Sequence, residues 1–268
     1  MPMRSNVRTG WIAVGGTLTA LAVLGVALAV WAEVTRPSTA YETVTRPPHS
    51  LTSSKVVVDT IGPVDISIVA GATGRLSMTR GLLWTGDRPR VTEEWEGDTL
   101  RIGVTCPGNG HEGGTVCRAD YTLTLPAATD VEARSPEGLV TATGVSGDLR
   151  LSTTYGDVVV DDARGTLWAR TEQGSVTGNN LRSAEADVEI GGGNATLRFA
   201  GPPDSVRAVV RTAGDVEVTV PPGDGYRVEA DARSKNLDIQ LDPEASRKIT
   251  ALVTEGNLRI FSSDRAGN

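Results

Sequence analysis

The sequence predicts an all-β fold, a β-solenoid with about 18–21 residues in each repeat, preceded by one transmembrane helix. Three observations lead to this prediction: an apolar run near the N-terminus, an alternation of apolar and polar residues that begins at Lys55, and a glycine that returns at a fixed interval. The alternative is a β-sandwich or prism of hairpins, which would show the same alternation.

The first element is the apolar run WIAVGGTLTALAVLGVALAVW, bracketed by Trp11 and Trp31. Its length of about 21 residues corresponds to roughly 32 Å of helix, enough to cross a bilayer, and we expect a transmembrane helix at residues 11–32. Arg4 and Arg8 place residues 1–10 in the cytoplasm by the positive-inside rule. The sequence thus predicts single-pass anchoring in the cell membrane with an extracytoplasmic body. Secretion after cleavage of a signal peptide is the alternative.

The second element is a linker at residues 33–54, rich in Thr, Ser and Pro. This composition is typical of an extended, hydrated segment, in which His49 would be solvated. Beyond it, alternation predicts a β cap segment at residues 55–135, a repeat region at 136–262 and a short tail at 263–268.

Cys106 and Cys117 are the two cysteines of the chain. They flank a glycine-rich loop, and outside the cytoplasm such a pair is typical of a disulfide. His111 and Glu112 lie in the same loop and make a zinc site conceivable, but the ligand set favours a disulfide-bonded hairpin and no metal.

The repeat region aligns on Gly156, Gly174, Gly193, Gly214, Lys235 and Gly256. Apolar residues return five positions before and two positions after each anchor, for example at Val158 and Val209, and these columns are expected to face the core. Val159 lies between two of the columns and is expected to face outward. Glycine suits a corner because it adopts positive φ. We therefore expect structural turns at Gly138, Gly147, Gly156, Gly165, Gly174, Gly193, Gly214 and Gly256.

Composition and motifs argue against several functions. The formal net charge of −7 becomes −9 once Arg4 and Arg8 are set aside, which disfavours binding to nucleic acid. The chain lacks a phosphate-binding loop and has two histidines, so no catalytic residue and no cofactor are predicted. Outward carboxylates give the alternative of a glycan-active enzyme, if two of them lay about 5–9 Å apart beside a tryptophan. The carboxylates concerned are Asp161, Asp162, Glu185, Asp187 and Glu189, and the tryptophans are Trp95 and Trp168.

The units GPVDISI, GDTLRI, YTLTLP, SGDLRL, YGDVVV, QGSVTG, AGDVEV and EGNLRI together resemble the bacterial "putative adhesin" family, a group of β-repeat domains of unknown function. The resemblance covers roughly residues 55–262. It implies a β-repeat body displayed at the bacterial envelope and supplies no catalytic motif. The resulting expectation is an adhesin-like, non-enzymatic scaffold that binds a protein or a glycan through its stacked faces.

Overall fold

The computed structural model describes residues 21–31, 38–71, 74–107, 116–223 and 225–264, and it divides the chain into two units, residues 1–39 and 40–268. In the first unit, residues 21–31 form an α-helix of roughly 16 Å. Among the described residues, no helix is long and apolar enough to cross a membrane. The predicted transmembrane helix and single-pass anchoring are therefore not supported. Residues 11–20 and 32 of the predicted span lie outside the described residues.

The second unit is all β, with strands numbered in chain order and gathered into two large sheets. The 11-stranded sheet contains, in spatial order, β1 (Thr39–His49), β4 (Leu76–Thr85), β7 (Cys117–Pro126), β3 (Val64–Gly71), β9 (Val140–Thr143), β11 (Val158–Asp161), β13 (Val176–Leu181), β15 (Ala195–Phe199), β17 (Val216–Val220), β21 (Asn257–Ser262) and β19 (Ser234–Asp238). The 10-stranded sheet contains β18 (Arg227–Asp231), β20 (Lys248–Glu255), β16 (Ser205–Ala213), β14 (Glu185–Gly192), β12 (Leu167–Gln173), β10 (Leu149–Tyr155), β8 (Asp130–Glu137), β2 (Lys55–Ile61), β6 (Thr99–Thr105) and β5 (Arg90–Glu96).

The prediction of a β-solenoid is wrong, and the β-sandwich given as the alternative fits. Both sheets are mixed: β4 pairs antiparallel with β7 in one sheet, and β5 pairs antiparallel with β6 in the other. The inward side chains of the two sheets form one apolar core. The physical reason for the error is that alternation and a fixed repeat length specify which strands are neighbours in a sheet. They do not specify how the non-repeating strands complete the two sheets.

The repeat length seen in the sequence is the offset between parallel neighbours. Leu149 lies opposite Leu167, 18 residues later, and Val216 lies opposite Leu258, 42 residues later. The second offset is double because β18 and β19 lie beyond β20 and β21 at one end of each sheet. The last strands of the chain are thus inserted before the pair that precedes them in sequence.

Two positions of the predicted columns need correction. Val209 faces outward, and its neighbour Ala208 is the inward residue, paired with Val188 and Ala251. A register shift between Val210 and Ala213 accounts for the displacement by one residue. Lys235 does not occupy the corner position, since it lies opposite Leu258, two residues beyond Gly256.

The corner glycines fall into two groups. Gly138, Gly156, Gly174, Gly193, Gly214 and Gly256 have φ between +135° and +155°. At Gly156, a Cβ would also lie 2.1 Å from the carbonyl oxygen of Gly138, so both backbone conformation and space require glycine. Gly147 and Gly165 are not among the positive-φ residues. At Gly165 the requirement is close approach alone, since a Cβ would lie 2.3 Å from the carbonyl oxygen of Gly147.

The segment expected to be a hydrated linker contains strand β1, which forms the edge of the 11-stranded sheet beside β4. Glu42 and Arg46 on this strand are half-buried and ion-paired to Arg80 and Glu93. The strand therefore belongs to the packed structure at one end of the sandwich.

Candidate functional site

Of the carboxylates considered for catalysis, Asp162, Asp187 and Glu189 are held by arginines. Arg182 Nη1 lies 2.9 Å from Asp162 Oδ1, and Arg207 Nη1 lies 2.9 Å from Asp187 Oδ1. Burial by itself would raise the pKa of Asp187, but hydrogen bonds from Arg170 and Arg207 lower it below its ordinary value. A general acid needs the opposite shift. Asp161 and Glu185 are exposed, and the structure supplies no partner that would make either one catalytic.

The outward surface of the 10-stranded sheet is dominated by charge. One row of paired positions crosses eight neighbouring strands, and five of its eight side chains are charged. We call this surface the charged face, and its central row is Val57, Glu132, Arg150, Trp168, Asp187, Arg207, Thr250 and Glu229.

Trp168 is the aromatic centre of the charged face. The guanidinium carbon of Arg150, from the neighbouring strand β10, lies 3.7 Å from the centroid of the indole ring. The guanidinium carbon of Arg170, two residues along β12, lies 4.6 Å from the same centroid. Both distances are within the range of cation–π attraction. The indole ring is therefore fixed in place by two cations.

An ion-pair network continues from Trp168 across the charged face. Arg170 Nη2 lies 3.0 Å from Asp187 Oδ2, and Arg207 Nη1 joins Asp187 to Glu189 at 2.9 and 3.3 Å. Arg211 Nε lies 3.5 Å from Glu189 Oε1. Charges of both signs are thus interleaved on strands β12, β14 and β16.

The outward surface of the 11-stranded sheet has a different chemistry. A row of paired positions crosses eight neighbouring strands, from β1 to β15, and seven of its eight side chains carry a hydroxyl group. We call it the hydroxyl row, and its members in spatial order are Thr45, Thr79, Thr122, Ser67, Thr141, Val159, Thr177 and Thr196.

Several hydroxyl groups of this row have their bonding capacity available. Thr141 Oγ1 donates to Ser67 Oγ at 3.0 Å, and Thr45 Oγ1 lies 3.5 Å from Thr79 Oγ1. The hydroxyl groups of Thr122, Thr177 and Thr196 make no hydrogen bond with another residue in the described part of the chain. Each of these can donate one hydrogen bond and accept others.

An aromatic ring and a carboxyl pair flank the hydroxyl row at its β1 end. Tyr41 is 65% exposed, and its phenol oxygen lies 3.1 Å from the point where a Cβ of Gly81 would stand. Asp65 and Asp120 occupy paired positions on β3 and β7. Burial, the charge of Asp65 and a hydrogen bond with it raise the pKa of Asp120. The sequence analysis missed this pair because β3 and β7 are 50 or more residues apart and outside the repeat.

A buried charge cluster ties the two sheets together at the same end. Glu93, on β5 of the 10-stranded sheet, accepts hydrogen bonds from Arg80 and Tyr121 at 2.8 Å each and from Arg46 at 2.7 Å. These three partners belong to the 11-stranded sheet. Burial by itself would raise the pKa of Glu93, but the three hydrogen bonds lower it below its ordinary value. Arg80 is 6% exposed, so the cluster is largely removed from water.

His49 and Trp95 lie near this cluster. Their rings are stacked, with centroids 3.9 Å apart and an angle of 8° between the planes. His49 was expected to be solvated and Trp95 was weighed as a platform for a sugar. Since the imidazole covers one side of the indole, Trp95 packs against its own chain.

The predicted disulfide is confirmed: Cys106 and Cys117 are bonded, with Cα atoms 6.1 Å apart. His111 and Glu112 lie outside the described residues. Among the residues that are described, no group of three or more His, Cys, Asp or Glu side chains is arranged to hold a metal ion.

The Arg150–Trp168 contact was within reach of sequence reasoning. The two residues are 18 positions apart, which is the offset that pairs neighbouring strands in this region. Most of the hydroxyl row was not within reach, because β4, β7 and β3 are paired in an order that no repeat in the sequence encodes.

Comparison with known proteins identifies structural neighbours only. No protein-family model and no curated protein sequence matches the chain. Three similar solved structures are a "putative cell adhesion protein" from Clostridium sporogenes, a "putative adhesin" from Bacteroides fragilis and a "putative lipid binding protein" from Parabacteroides distasonis. Their sequence identities are 12%, 14% and 10%, and their TM-scores are 0.35, 0.44 and 0.42. The alignments cover 85%, 82% and 82% of this chain and 100%, 96% and 96% of the respective neighbours.

Proposed function

We propose that this chain is a non-catalytic, adhesin-like binding protein that holds a partner protein on its charged face. The observation that carries the proposal is the position of Trp168 between Arg150 and Arg170 on the outward surface of the 10-stranded sheet. Trp and Arg are the residue types most enriched among the side chains that dominate the free energy of protein–protein association. A ring already fixed by two cations loses little freedom when a partner covers it.

The interleaved charges support a protein as the partner. Arg170, Asp187, Glu189 and Arg207 present both signs within a few ångströms of each other. Such a pattern can match the mixed charges of another protein surface and set its register. Exposed ion pairs contribute only about 0–1 kcal/mol to folding, so stability alone does not account for this network.

An extracytoplasmic location belongs to the same proposal. The Cys106–Cys117 disulfide supports it, because disulfides persist in oxidising compartments and are rare in the cytosol.

The proposal is tested by site-specific photo-crosslinking in the native cells. A benzophenone side chain is placed at Ser152, which lies opposite Arg170 on the charged face, and in a control at Glu217 on the other sheet. We expect one discrete protein adduct from the first position and none from the second. The adduct should disappear in the Trp168→Ala variant. The same adduct from both positions, or one that survives Trp168→Ala, would contradict the proposal.

A glycan-active enzyme is the second candidate function, and the Asp65–Asp120 pair is the observation that favours it. Two carboxyl groups on paired positions of neighbouring strands, one with a raised pKa, are the arrangement that glycoside hydrolysis uses. The test is the release of reducing ends from neutral and acidic polysaccharides. Activity lost in Asp120→Asn would establish this candidate, and no release by the parent chain would exclude it for the polymers tried.

A further inference from the structure

We propose that the outward surface of the 11-stranded sheet binds a neutral, extended polysaccharide along the hydroxyl row. This site lies on the opposite sheet from the charged face, and it does not depend on the function proposed there.

The concentration of hydroxyl groups is not a consequence of strand formation. Threonine favours strands in any sheet whose surface is exposed, so propensity alone would place it on both sheets. The matching row of the charged face has one hydroxyl residue, Thr250, among its eight positions. The difference therefore points to what each surface contacts.

A row of hydroxyl groups suits a ligand that is itself a row of hydroxyl groups. Neighbouring strands lie about 4.8 Å apart, so the row presents donors and acceptors at a regular interval over roughly 34 Å. Each hydroxyl can donate to and accept from a sugar hydroxyl. A single hydrogen bond of this kind is weak, but an extended polymer can make several at once.

The charges beside the row select against an acidic polymer. No member of the row is charged, and the carboxylates nearest to it are those of Asp65 and Asp120 at one corner and Asp161 on the next outward position. An anionic polysaccharide would meet these charges and the net negative charge of the body. A neutral chain meets no such repulsion.

Tyr41 supplies the second feature expected of a sugar site. Its ring lies over Gly81, at the β1 end of the row, and remains 65% exposed. An exposed aromatic ring with an apolar face and a polar edge can cover the apolar face of a pyranose ring. The ring and the hydroxyl row together match both chemistries of a neutral glycan.

The test is affinity electrophoresis of the full-length chain in native gels that contain hydroxyethylcellulose. Carboxymethylcellulose, with the same backbone and added carboxylates, is the matched acidic polymer. We expect retardation by the neutral polymer only, nearly unchanged between about 50 and 500 mM salt because no charge is involved. Thr122→Val and Thr177→Val preserve side-chain shape and should each weaken binding by about 2- to 10-fold. Tyr41→Ala should weaken it as well.

Val159→Thr is the gain-of-function variant, since it supplies the one hydroxyl missing from the row. It should tighten binding by about 2- to 10-fold. Thr154→Val, on the 10-stranded sheet, is the matched control and should leave retardation unchanged. The proposal is overturned if hydroxyethylcellulose does not retard the parent chain, if carboxymethylcellulose is preferred, or if Thr154→Val weakens binding as much as Thr122→Val does.

Discussion

The charged face and the surface of the hydroxyl row are built on the same scaffold and have opposite chemistries. Around Trp168, cations and carboxylates alternate from strand to strand. Along the hydroxyl row, from Thr45 to Thr196, uncharged side chains follow one another across as many strands. Both rows belong to long sheets with inward apolar columns, so the demands of folding are similar for each. The difference teaches that the outward positions are free to be specialised for binding.

This comparison assigns different kinds of partner to the two sheets. The charged face is suited to a protein and should respond to salt, because its contacts are ionic. The hydroxyl row is suited to a neutral polymer and should not respond to salt. A chain with both surfaces could link a protein to a glycan, which is the action expected of an adhesin-like protein.

The largest expected effect is on the structure that both surfaces share. Glu93→Gln removes the carboxylate that joins three side chains of the other sheet and leaves Arg80 buried without its countercharge. Breaking a buried ion pair on one side costs about 3–5 kcal/mol. We expect a loss of this size in the free energy of unfolding, measured by urea denaturation. Glu94→Gln, on the exposed side of the same strand, should change it by no more than about 0.5 kcal/mol.

The same cluster predicts a pH dependence. Because the folded state lowers the pKa of Glu93, its contribution to stability is present above the unfolded pKa of about 4.3 and is lost as the pH falls through the lower folded value. In Glu93→Gln this part of the acid dependence should vanish. An unchanged acid profile in the variant would show that Glu93 is not the group that titrates.

Gly156→Val tests the corner that sets the spacing of the strands on both sheets. The valine would have φ near +155° and a Cβ that overlaps the carbonyl oxygen of Gly138. A positive φ alone costs an ordinary residue about 1–2 kcal/mol, and the overlap adds to it. We expect at least about 2 kcal/mol of destabilisation, seen as a lower melting temperature. A variant as stable as the parent would mean that the corner can rearrange.

Sequence reasoning reached the pairing of strands in the repeat region and missed the ends of the sheets. The offset of 18 residues between Leu149 and Leu167 is legible because every repeat obeys it. The antiparallel pairs and the insertion of β20 and β21 before β18 and β19 leave no periodic signal. Strand exchange in space conserves the alternation of each strand, so the sequence looks the same in either order.

The candidate sites show the same division. Arg150 and Trp168 are one repeat apart, so their contact follows from the period. Thr122 and Ser67 meet only because β7 pairs with β3, and Tyr41 reaches Gly81 only because β1 forms the edge beside β4. These contacts join segments without a common repeat, and only the folded structure brings them together.

Val158→Thr and Val159→Thr separate the core from the hydroxyl row on one strand. Val158 is fully buried, so a hydroxyl group there would lack water and should cost about 1–3 kcal/mol. Val159 faces outward between Thr141 and Thr177, so the same substitution should change stability by no more than about 0.5 kcal/mol. Thermal melts of the two variants measure the difference. Equal shifts would mean that the two side chains do not face opposite sides of the sheet.

The smallest expected effect contrasts one carboxylate from each surface. Asp187, on the charged face, has a lowered pKa, so its ionised form is favoured in the folded state at neutral pH. Asp120, beside the hydroxyl row, has a raised pKa, so its ionised form is disfavoured there. By linkage, Asp187→Asn should lower stability at neutral pH and Asp120→Asn should raise it. Both groups are partly exposed, so each change should be within about 1 kcal/mol.

The contrast should disappear in acid, where both carboxyl groups are protonated and Asn is a close neutral substitute for each. Urea denaturation of the two variants at about pH 7 and about pH 3 measures this, with Asp161→Asn as the exposed control. Stability changes of the same sign for Asp187→Asn and Asp120→Asn at neutral pH would remove the electrostatic distinction between the two surfaces. Opposite signs that converge in acid would show that the charged face is built to hold ionised carboxylates and that the edge of the hydroxyl row is not.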